Sequence, residues 1–183
     1  MANISDLFKA FKTSFVDTYK NQFGGDETKA RAFVDTIVND IINNYAALSI
    51  SPLLHNQLTN LADKDWSIDL STTNAARTEA NNQNPKIKIP IHNLPLDYNS
   101  MTASAQQVVL NKIEKMFVGE LSHELGHAQD FQQNNVAYVG AAAVENGLSI
   151  GARVAKRLLS EGKAVYNNIQ IANDNISSIK KAA

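Results

Sequence analysis

The sequence contains no cysteine among its 183 residues, which excludes a disulfide framework, a thiolate metal site and a cysteine nucleophile. Any metal must therefore be held by histidine and carboxylate. Also missing is any hydrophobic run near the roughly 20 residues that a membrane helix needs. The start, Met1-Ala2-Asn3-Ile4-Ser5-Asp6, has neither the basic n-region nor the apolar h-region of a secretory signal. No membrane partner and no classical export signal are expected. Net charge is nearly absent too: 17 Lys and Arg stand against 18 Asp and Glu, with the basic residues scattered along the chain. Nucleic acid has no electrostatic footprint to bind and is not an expected partner.

What is present is ordinary globular composition, 44% hydrophobic and 19% charged, so a packed core is expected. The length fits a single domain over 1–183, divided around a cleft into an N-terminal lobe of about 1–127 and a helical C-terminal lobe of about 128–183.

Leu7, Phe8, Phe11, Phe15 and Tyr19 recur at helical spacing, with Ser5 placed to cap and Gly24-Gly25 placed to end the segment. Asp26 caps a second predicted helix carrying Phe33, Val34, Ile37, Val38, Ile41, Ile42 and Tyr45. Pro52 opens a short third one. The period then changes to two at Trp66, Ile68 and Leu70 and again at Ile87, Ile89 and Ile91, which predicts two strands. Pro90 suits an edge position for the second strand, and the polar stretch Ser71 to Asn84 reads as a connection. Helical spacing resumes at Ser104 and runs without proline to Phe131. After a polar turn at Gln132 to Asn135, helical stretches are predicted over Val136 to Leu159 and Ala164 to Lys181, divided near Gly162. Helices, a small sheet, then helices make an α+β fold, mainly helical.

The long helix carries His123-Glu124-Leu125-Gly126-His127, the pattern His-Glu-x-x-His. Residues four apart lie on one helix face a turn apart, so His123 and His127 can offer ring nitrogens to one Zn²⁺ at about 2.0–2.1 Å. Glu124 then lies within reach of the water on that metal, as a general base. Small residues around the second histidine, Gly126 and Ala128, let another segment or a substrate come close. A catalytic zinc needs a third protein ligand. Asp130 lies about 10 Å beyond His123 along the helix, better placed to orient His127 than to bind the same ion. Glu145, in Ala143-Val144-Glu145-Asn146, is the next acid downstream, on a helix that can fold back. Tyr138 precedes it by two turns, where a phenol could hydrogen-bond an oxyanion.

His-Glu-Leu-Gly-His-Ala-Gln-Asp resembles the signature of gluzincin metallopeptidases, especially the anthrax lethal factor and Pro-Pro endopeptidase group. In that group a glutamate on a later helix is the third ligand, with a catalytic tyrosine two turns before it. The resemblance implies a zincin-like fold with His123, His127 and Glu145 on zinc, Glu124 as base and Tyr138 at the oxyanion. Short metallopeptidase domains of bacterial secreted toxins and effectors are also similar, through Ala143-Val144-Glu145-Asn146. The interval from His127 to Glu145 is shorter than in lethal factor, and Leu148-Ser149 stands where the effector domains usually carry an arginine.

The expectation is thus a zinc-dependent endopeptidase, a hydrolase with a protein or peptide substrate. It would work in the cytoplasm of the producing cell or be exported without a signal peptide as an effector. The alternative is a non-catalytic scaffold or protein-interaction module on the same fold. The strand over 86–92 is expected to form the rim that pairs with extended substrate. His92, Glu120 and His55 are assigned mainly structural roles.

Overall fold

Phenylalanine dominates the N-terminal core, and its spacing decides which helices meet there. Residues 3–80, 84–134 and 150–182 are described by a computed structural model of the chain. Asn3, rather than Ser5, provides the first cap, its side chain accepting from Ser5 N at 3.0 Å. A 3₁₀ turn, Ile4–Phe8, leads into α1, Lys9–Tyr19. Phe8, Phe11 and Phe15 share one helical face and are fully buried. Phe11 meets Phe117 edge-on at 5.0 Å, and Phe15 stacks on Phe33 at 5.7 Å. The chain turns at Gly24, whose φ of 72° is costly for any residue with a Cβ.

Asp26 caps α2, Glu27–Asp40, by accepting from Thr28 N and Lys29 N at 2.9 and 3.1 Å. After a π turn, Ile41–Tyr45, Ser51 caps α3, Pro52–Ala62, with proline at its first position as expected.

The sheet has three strands: β1 Ser67–Leu70, β2 Arg77–Glu79 and β3 Lys86–Ile89, in the order β1-β3-β2. β1 and β3 run parallel, with Ile68 opposite Ile87, and β2 runs antiparallel to β3, with Thr78 opposite Ile87. Two expectations are corrected. β3 is the central strand, and Pro90 causes no loss because the strand ends at Ile89. The Ser71–Asn84 stretch contains the third strand. β2 is only three residues long and lacks an apolar face, so it has no period to read; ion pairs hold its outer face, Arg77 Nε–Glu79 at 2.7 Å and Lys88 Nζ–Glu79 at 3.2 Å. α1 packs on β1, while the long helix α4, Ala103–Asn134, packs on β3 and β2.

α4, Ala103–Asn134, runs 32 residues and passes through the turn expected at 132. α5, Ile150–Ala182, is likewise one helix of 33 residues, unbroken at Gly162. Glycine inside a helix costs only about 1 kcal/mol, which packing along the rest of α5 offsets. No described helix is long and apolar enough to cross a membrane. The architecture is α+β, mostly helical.

Glu114, 7% exposed on α4, hydrogen-bonds to Asp40 at the end of α2. Burial first, then that acid partner, push its carboxyl up to about 7. The folded state therefore holds a proton that the unfolded chain releases near the ordinary value of 4.5. The resulting stability is complete below that value and is lost as pH rises through about 7. Between pH 5 and 8 the wild-type Tm should fall by about 3–8 °C more than that of Glu114→Gln, which keeps the hydrogen bond without the charge. Parallel Tm profiles in a thermal-melt series would contradict this.

Candidate metal centre

The second half of α4 faces α5 on one side and β2 on the other. Gly126 makes the first approach possible. A Cβ there would stand 2.6 Å from Ala164 Cα of α5, too close for any other residue without moving the helix. Asn167, 6% exposed, locks the crossing: its Nδ2 donates to Ser122 O at 2.6 Å, and its Oδ1 accepts from Gln57 Nε2 of α3 at 2.6 Å. The packing sets Ser160 and Glu161 of α5 over the two histidines.

His123 and His127 stand side by side on one face, as the four-residue spacing requires. Their Nε2 atoms are 3.2 Å apart, with the ring planes at 81°. Glu161 spans both, with Oε2 at 3.3 Å from His123 Nε2 and Oε1 at 3.5 Å from His127 Nε2. Ligands about 2.0–2.1 Å from a tetrahedral zinc are separated from each other by about 3.3 Å, so these three spacings fit zinc. His127 Nδ1 lies 3.1 Å from Ser160 Oγ. If Nδ1–H donates to that oxygen, Nε2 is left with the lone pair that a metal needs.

Glu124 lies between the histidines in sequence and beside them in space; the three side chains each offer a ligand atom within 4.8 Å of the others. It is 6% exposed. Thr78 of β2 reaches it from the opposite wall, donating from Oγ1 to Oε2 at 2.7 Å. Ala76, Arg77, Thr78, His123, Glu124, His127 and Glu161 line a cleft of about 330 Å³.

Glu145 and Tyr138 lie outside the described residues. Asp130 pairs with Lys163 of α5, and Ser160 Oγ lies beside His127 Nδ1, an orienting contact on that ring. His92 Nε2 meets Glu120 Oε1 at 2.7 Å. Burial raises the Glu120 carboxyl, the His92 contact opposes that shift, and the neighbouring Glu124 charge adds to it. The pair braces α4 one turn before His123. His55 has a structural role, with Nδ1 3.0 Å from Ala46 O. The wall expected from 86–92 belongs to β2, because β3 is covered on both edges.

Thr78, Ser160 and Glu161 are the residues that the sequence alone did not single out. Glu161 sits in Leu158-Leu159-Ser160-Glu161-Gly162-Lys163, which reads locally as an ordinary helix surface. No family model, no curated protein and no solved structure matches the chain, so the chemistry of this cleft is read from its own side chains.

Proposed function

We propose that the chain is a zinc-dependent endopeptidase, with His123 and His127 holding the metal and Glu124 as general base. The observation that carries this reading is the convergence of two imidazole Nε2 atoms and a carboxylate at the spacings of zinc ligands, with Glu124 beside them in one open cleft. The donor set also fits: two imidazoles and one carboxylate are a catalytic combination, whereas structural zinc sites are usually closed by four ligands, often thiolates. When bound, Zn²⁺ makes water nucleophilic near neutral pH and polarises a carbonyl.

The chain's own residues do the rest. Glu124 takes the proton from the attacking water and returns it to the leaving amine. Ser160 keeps the His127 tautomer. Among the described residues β2 is paired on one edge only, and an extended peptide laid along its other edge would gain main-chain hydrogen bonds above the histidines. The resemblance to toxin and effector metallopeptidases supports a protein substrate and a role as an exported effector, and the resemblance to the anthrax lethal factor and Pro-Pro endopeptidase group gives Tyr138 the oxyanion.

Two carboxylates are candidates for the third ligand. Glu161 lies at ligand spacings from both histidines, and Glu145 is the one implied by the resemblance. Zinc titrations of Glu161→Ala and Glu145→Ala, run beside a peptide-library digest with and without chelator, test the whole reading. The wild type should cleave only when zinc is present, and one of the two variants should bind zinc at least about 10-fold more weakly. Cleavage that survives complete zinc removal would overturn it.

A further inference from the structure

We propose that Thr78 is the positioning residue for the Glu124 carboxylate, tying the base of the site to the strand that lines its cleft. The inference rests on Glu124 acting as proposed above, and the contact itself is geometric. Thr78 Oγ1 lies 2.7 Å from Glu124 Oε2 and 3.0 Å from the Glu124 main-chain oxygen, across 46 residues of sequence. The contact to Oε2 has the ordinary length of a hydroxyl hydrogen bond, the one to the main-chain oxygen is at the long end of that range, and Glu124 is buried.

The strand itself explains why this side chain has the role. Thr78 pairs with Ile87, whose side chain is fully buried, so the two share the inward face of the sheet. Arg77 and Glu79 alternate to the outer face, where Glu79 pairs with both Arg77 and Lys88. Within the three residues of β2, only Thr78 turns towards α4.

A hydroxyl both donates and accepts, so this contact survives a change in the charge of Glu124. While Glu124 is ionised, Thr78 donates to Oε2 and leaves Oε1 to receive a proton from water. Once Oε1 carries the proton, Oε2 is the carbonyl oxygen of the acid and still accepts from Thr78. The carboxylate keeps one orientation through both halves of a proton shuttle, and a peptide seated on β2 shares its frame with the base. Valine has the shape of threonine and neither hydrogen-bonding capacity; serine keeps both.

The test compares wild type, Thr78→Val and Thr78→Ser as zinc-loaded full chains on a peptide found by library digest. For Thr78→Val the expected result is kcat reduced about 10- to 30-fold, with KM within about twofold and zinc content unchanged, as for a misplaced general base. Thr78→Ser should recover to within about threefold of wild type. A merely structural tie would instead lower Tm with kcat intact, or leave serine as poor as valine, and either result overturns the proposal. Crystal structures of the three proteins supply a readout that does not need activity. Glu124 should hold one carboxylate orientation in wild type and Thr78→Ser and lose it in Thr78→Val; an unchanged carboxylate in the valine variant is contrary to the proposal. If the wild type cleaves no peptide, the endopeptidase reading fails, and the crystal structures still decide whether Thr78 positions Glu124.

Discussion

Glu124→Gln should bind zinc as the wild type does and hydrolyse peptides about 10²- to 10⁴-fold more slowly, a loss of roughly 3–5.5 kcal/mol in transition-state stabilisation. Glutamine has the same length and can still accept from Thr78 through its amide oxygen, so the hydrogen bond at 2.7 Å and the local packing persist. What is lost is the ability to take a proton. Because the side chain is 6% exposed, bulk water does not readily substitute for it. The loss should fall in kcat, since nothing in the substitution removes a surface on which substrate rests. Steady-state kinetics with zinc quantified in the same sample check this. Retained activity would remove Glu124 from the chemistry; zinc bound with no activity even in the wild type would favour the non-catalytic scaffold.

His127→Ala should abolish stoichiometric zinc binding and, with it, the response of the protein to chelator. Zinc that binds only the folded state adds about 4 kcal/mol when present at a thousand times its Kd, which for a chain of this length corresponds to roughly 8–16 °C in Tm. Chelation of the wild type should therefore lower Tm by several degrees. In His127→Ala, chelator should change nothing, because a remaining histidine and carboxylate are too few to hold the ion. The variant should also melt below chelated wild type, since it loses the Ser160 contact at 3.1 Å that helps dock α5 on α4. Differential scanning calorimetry with and without chelator separates the two effects. A chelator shift that persists in the variant would place the zinc elsewhere.

Legibility in the sequence follows the range of each interaction. Helical spacing exposed α1 to α4, and the Asp26 and Pro52 signals were correct, because caps and amphipathic faces are written within a few residues. The pairing of His123 with His127 was legible for the same reason: the helix repeat alone brings them together. β2 was not, since a three-residue strand held by Glu79 ion pairs and Thr78 carries no hydrophobic alternation. Gly162 was read as a break although a helix with enough packing tolerates it. Ser160 and Glu161 reach the histidines only because Gly126 admits Ala164 and because Asn167 ties α5 to Ser122 and Gln57. Those contacts span 33 or more residues, and nothing in the local sequence marks them.

X-ray absorption at the zinc edge, on protein purified and dialysed against zinc-free buffer, tests the central claim most directly. The account predicts one zinc per chain in a four-coordinate shell of nitrogen and oxygen near 2.0–2.1 Å, with the multiple-scattering signature of two imidazoles. Absence of bound zinc, or a zinc shell without two imidazoles, would contradict it.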